Sequence, residues 1–108
     1  MGTIQHNALI VTSTASDMPR FYEKAIELFG AQLVSPVISA SANEYQSFFV
    51  SPSGSKLGWD TYDKHMEAMA KMLDFLDSFY NDTKVYLEYV KVSYGELGLK
   101  VSAGMLGY

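Results

Sequence analysis

Residues 4–30 constrain the fold more tightly than any other stretch of this chain. Ile4–Thr12 reads as a strand, and its segment Ala8-Leu-Ile-Val11 is apolar on both faces, the pattern of a central strand covered twice. Ser13-Thr-Ala-Ser-Asp17 then offers helix-capping residues, and Pro19 suits a first helical turn. Met18, Phe21, Tyr22, Ala25, Ile26 and Phe29 follow at the 3- and 4-residue spacing of one apolar helix face. Gly30 is placed to close that helix.

The remaining elements follow in a definite order. Leu33–Ser39 and Glu44–Val50 read as strands joined by the loop Ala40-Ser-Ala-Asn43, with Pro36 marking the first as an edge or bulged strand because it cannot donate to a ladder. A second helix runs from about Thr61 to Tyr80, Lys84–Tyr94 is a long β-branched and aromatic strand, and Leu99–Ser102 adds a short one. The series β-α-β-β-α-β plus a C-terminal tail predicts one α+β domain over residues 1–108, of the ferredoxin-like split βαβ kind. In that arrangement the first strand lies inside the sheet and both helices share one face. The scaffold hosts enzymes, binders and regulators, so function must be read from particular side chains.

Composition removes several classes of function. With 108 residues the chain can bury a core without staples, and the absence of cysteine excludes disulfides, thiolate zinc sites and a cysteine nucleophile. No basic-then-apolar leader opens it and no apolar run reaches the ~18 residues of a membrane span, which reads as a cytoplasmic protein. Eight Lys plus Arg against twelve Asp plus Glu leave a net charge of −4, and Arg20 is the sole arginine. A duplex or a long RNA requires a cationic stripe that this chain lacks, whereas a small anion held by one or two lysines does not.

The motifs that would carry catalysis are incomplete. His6 alternates with Ile4 and Ala8 along a strand, and His65 stands near Asp60 and Asp63 without a third ligand at metal-binding spacing. The two aspartates fit the positive end of the second helix, and Glu88 fits the outward face of a strand. Ser53-Gly-Ser-Lys56 matches Ser-x-x-Lys but lacks the partner motifs of acyl-transfer enzymes. Neither a phosphate-binding P-loop nor Gly-x-Gly-x-x-Gly is present, so no cofactor is expected.

Two surfaces stand out instead. On the second helix, Met66, Met69, Leu73, Leu76 and Tyr80 form one apolar stripe and Met72, Phe75 and Phe79 form another. Together they span more than the ~100° needed to cover one sheet. This reads either as a wide core face with Phe75 or Phe79 under a loop or as the interface of a homo-oligomer. The expectation taken forward is a homo-oligomer with Met72, Phe75 and Phe79 in or beside its interface. The second surface is polar. The loop Thr12–Ser16 ends at a helix N-terminus that attracts anions, and the Ser51–Lys56 turn brings a cation and the aromatics Trp59 and Tyr62. Ser13, Thr14, Lys56, Trp59 and Tyr62 are thus expected to line one pocket for a small anionic, nucleotide-like ligand.

His6-Asn-Ala-Leu-Ile-Val-Thr-Ser13, Val34-Ser-Pro36, Tyr45-Gln-Ser-Phe-Phe49 and Pro52-Ser-Gly-Ser-Lys-Leu-Gly-Trp59 together resemble a family of small phage- and prophage-encoded proteins. Members share a His-Asn-Ala strand and a Gly-Ser-Lys-x-Gly-Trp turn. The resemblance covers roughly residues 5–62 and implies a role in the host cytoplasm, for example counter-defence by sequestering a nucleotide immune signal. An inhibitor that binds a host protein through an apolar surface, or a small oligomeric enzyme, are the alternatives.

Overall fold

The computed structural model describes residues 2–79 and 81–104. Tyr80 and the last four residues of the tail therefore lie outside the described residues. The chain begins with strand β1 (Gln5–Thr14), which pairs along its length with two others. On one side β3 (Tyr45–Val50) runs antiparallel to it, from Leu9 opposite Val50 to Thr14 opposite Tyr45. On the other, β4 (Leu87–Gly95) runs antiparallel from Gln5 opposite Gly95 to Ser13 opposite Leu87. The short β2 (Ile38–Ser39) flanks β3 and β5 (Lys100–Gly104) flanks β4, giving the order β2-β3-β1-β4-β5, antiparallel throughout. The protein is an α+β domain with two helices, α1 (Met18–Phe29) and α2 (Asp60–Asp77), and β1 sits in the sheet interior.

Pro36 explains why β2 is so short. Residues 33–39 meet β3 only at the Val34–Val50 bridge and again at Ile38–Ser39. Between them the Ser35 hydroxyl accepts the Phe49 N–H at 2.8 Å. The expected strand Leu33–Ser39 is thus an interrupted edge.

Connection handedness puts the helices on one face. The path β1-α1-β2 skips over β3, and β3-α2-β4 skips over β1 in the opposite direction. Two right-handed crossovers related in this way fall on the same side of a sheet. That side carries the odd-numbered residues of β1, where Leu9 and Val11 meet Met18, Phe21 and Ala25 of α1 and Met69, Met72 and Leu76 of α2.

Among the described residues, no helix lies on the opposite side of the sheet. Ile10 is 44% exposed there, which corrects the expectation of a strand covered twice. Alternation records that both faces of β1 are apolar. It does not record how many layers the chain has available to cover them.

The second apolar stripe of α2 packs as part of a wide core face. Met72 is fully buried in the core, so it cannot meet a second subunit. Phe75 and Phe79 pack edge-on against Phe21 of α1 at ring-centroid distances of 6.2 and 5.2 Å. Arg20 lies 5.5 Å from the Phe79 ring and Lys24 lies 5.5 Å from that of Phe75, so α1 cations shield the outer edges of this cluster. A helix packed against both a sheet and a neighbouring helix needs a wider apolar arc than one packed on a sheet alone.

Candidate ligand-binding cleft

The turn after β3 is fixed by its own polar atoms. Gly54 and Gly58 adopt φ values of 80° and 88°, a region that favours glycine. Ser53 Oγ donates to Ser55 Oγ at 3.0 Å, and Ser55 Oγ donates to Thr61 Oγ1 at 2.7 Å. This hydroxyl chain ties the turn to the start of α2, while Lys56 bridges to Ile4 beside β1. Trp59 is the N-cap of α2, with extended backbone and no side-chain cap. Its indole is left 53% exposed, with Lys56 Nζ 5.6 Å from the ring centroid.

Beside Trp59 lies a cleft of about 640 Å³, between the end of α1, the Ser53–Ser55 turn and the first turns of α2. Its wall includes the three hydroxyls, Gln32, Lys64 and His65, and among the described residues no carboxylate. His65 is buried: its Nε2 lies 3.0 Å from the Asn7 carbonyl and its ring stands 5.4 Å from that of Phe29. The cleft thus offers an aromatic surface, hydroxyl donors and acceptors, and one ammonium group. Its volume is in the range of small-molecule sites. Among the described residues, no group of three His, Asp or Glu side chains is placed to hold a metal ion.

The five expected site residues do not meet. Trp59 lines the cleft and Lys56 stands beside its ring. Ser13 is fully buried at the other end of β1, its hydroxyl donating to the Tyr86 carbonyl at 2.6 Å. Ser13 and Ile4, the bridge partner of Lys56, are separated by a run of strand roughly 30 Å long at ~3.3 Å per residue. Thr14 Oγ1 donates to Asp17 at 3.3 Å, and Asp17 also holds Arg20 at 3.6 Å. A carboxylate therefore already stands at the N-terminus of α1, where an anion was expected. Tyr62 faces a different groove, with its hydroxyl accepting from Asn7 Nδ2 at 3.4 Å.

Thr61, Lys64 and the residues after α1 were not singled out in the sequence. The available signal was Gly30, which ends α1 and turns the following residues across the start of α2. The two groups with raised pKa values lie outside the cleft. The Tyr86 hydroxyl is held well above the ordinary tyrosine range, first by its hydrogen bond to Glu88. Tyr89 is raised first by burial and then by its hydrogen bond to Asp77.

No family model matches the chain, and no curated protein compared with it is similar to it. Among the described residues, no helix is long and apolar enough to cross a membrane.

Proposed function

We propose that this chain is a non-enzymatic binding protein whose cleft beside Trp59 takes a small anionic ligand with a planar ring, nucleotide-like in its chemistry. The observation that carries the reading is an exposed indole at a 640 Å³ cleft walled by hydroxyls and Lys64, with no carboxylate in the wall among the described residues. The ring would stack on Trp59 while Lys64 and the hydroxyls meet its polar substituents. Binding is favoured over catalysis because Ser53, Ser55 and Thr61 bond to one another and His65 Nε2 is directed at a main-chain carbonyl. No nucleophile is thereby joined to a base. In a phage setting, such a protein would sequester an immune nucleotide in the host cytoplasm.

Because Trp59 is the sole tryptophan, its fluorescence reports the cleft directly. Titration with mononucleotides and cyclic dinucleotides should quench it saturably. Trp59→Ala, followed by calorimetry, should lower affinity about tenfold or more, since stacking contributes ~1–3 kcal/mol per base. Its melting temperature should change little because the ring is exposed. Failure of every nucleotide to quench at millimolar concentration would reject the reading.

Two finer readings accompany it. The order β2-β3-β1-β4 and the two same-face crossovers support a ferredoxin-like split βαβ core with β5 added at its edge. The helix-free face supports self-association. Ile10, Ile38, Phe49, Tyr94 and Val101 are all exposed, and the strand register places them on that face. Five strands at ~4.8 Å and six residues at ~3.3 Å make a face of roughly 24 by 20 Å. Two such faces together approach the ~1,000 Å² that a specific interface needs. Each has an aliphatic centre at Ile10, Val90 and Val92, with His6–Tyr94 at one end and Thr12–Glu88 at the other. A two-fold axis through the centre would set aliphatic on aliphatic and place each polar end over its opposite.

A further inference from the structure

On the helix side of the sheet, α2 leaves part of β4 and β5 uncovered. The resulting groove of about 280 Å³ is separate from the Trp59 cleft. Its floor follows from register. Asn7 of β1 stands opposite Ser93 of β4, which stands opposite Lys100 of β5. In the next row on the same face, Lys91 of β4 stands opposite Ser102 of β5. Lys91 and Lys100 are therefore diagonal neighbours, with Cα atoms roughly 7–8 Å apart. Tyr62 of α2 forms part of the wall.

Three observations converge here. In an acidic chain, two of eight cationic side chains share a groove in whose lining, among the described residues, there is no carboxylate. Among the described residues neither lysine forms an ion pair, although like charges on neighbouring strands repel. Among the described residues the side chain of Asn7, only 3% exposed, makes one hydrogen bond, to the Tyr62 hydroxyl at 3.4 Å. An amide can make up to four, so Asn7 keeps capacity for a further partner in the groove. Ser93 Oγ already accepts from Gln5 Nε2 at 2.9 Å, which leaves its own proton to donate.

We infer that this groove is an oxyanion site, in which Lys91 and Lys100 hold a phosphate group with donors from Ser93, Ser102 and Asn7. Two ammonium groups and neutral donors match a tetrahedral dianion, and the anion removes the repulsion between the lysines. The phosphate can be free or can be the terminal group of a phosphomonoester. The site does not depend on the Trp59 cleft.

Amide chemical shifts of the full chain, titrated with inorganic phosphate and separately with methyl phosphate, test the assignment. Saturable shifts centred on Asn7, Lys91, Ser93, Lys100 and Ser102 are expected. Tighter binding of methyl phosphate would identify a phosphomonoester, and tighter binding of the inorganic ion would identify free phosphate. Lys91→Met and Lys100→Met should each weaken binding about tenfold or more, and phosphate should raise the melting temperature of the wild type but not of the double variant. A folded double variant that binds as the wild type does would overturn the assignment. So would shifts centred on Trp59, or an absence of saturation by tens of millimolar.

Discussion

The two faces of the sheet are made by the same strands and have opposite fates. On one, Leu9, Val11, Phe48 and Leu87 are buried under α1 and α2; on the other, Ile10, Phe49 and Val101 are exposed although equally apolar. Residue type does not separate them. Two crossovers of one hand supply helices to one side, and nothing among the described residues covers the second. An apolar strand face thus records a demand for cover, and connectivity decides whether the cover comes from the same molecule.

The sharpest test of that contrast is truncation on each side. Leu76 is fully buried in the core cluster, so Leu76→Ala should cost about 2–5 kcal/mol in urea unfolding. Ile10→Ala removes the same three carbons but should cost under about 1 kcal/mol at concentrations where the protein is monomeric, since the site is already open to water. Equal costs would mean that the open face is supported within one copy.

A charge on each face sharpens the comparison further. Ile10→Glu should leave the fold intact, with an unchanged circular dichroism spectrum, and should halve the mass seen by light scattering of a wild-type dimer. Burying unpaired carboxylates at the centre of a two-fold interface is strongly unfavourable. A wild type that is monomeric at high micromolar concentration would reject self-association through this face and leave it to a different protein.

Much of this architecture was legible because periodicity is a local property. The spacing from Met18 to Phe29 and the stop at Gly30 match α1 residue for residue, and Pro36 marked the weak edge strand. The parts that were not legible depend on how elements meet. The breadth of the apolar arc on α2 was visible, but its partner, Phe21, belongs to another helix. Ser13 and Lys56 both read as loop residues, yet Ser13 belongs to β1, and only the register shows that the two stand at opposite ends of that strand. Lys91 and Lys100 carry no local signal; only the pairing of β5 with β4 makes them diagonal neighbours.

The smallest expected effect concerns Tyr89 on β4 and Tyr86 immediately before it, one on each face of the sheet. Both are raised above the ordinary value near ~10. Above that value the unfolded chain releases these protons while the folded chain retains them, so the unfolded state binds fewer protons and stability falls as pH rises. Their contribution is complete below ~10 and disappears as pH passes through the raised folded values. For Tyr89, burial under α2 is the leading cause and the hydrogen bond to Asp77 adds to it. Tyr89→Phe should therefore visibly flatten the alkaline slope of a urea midpoint measured from pH 8 to 11. For Tyr86 the leading cause is the hydrogen bond to Glu88 on the open face, where solvent screens the charge. Tyr86→Phe should flatten the slope less, because water can replace the contact that Tyr86 makes. If Tyr86→Phe flattened it more, the Tyr86–Glu88 pair would have to be dry, and the open face would have to be covered in solution.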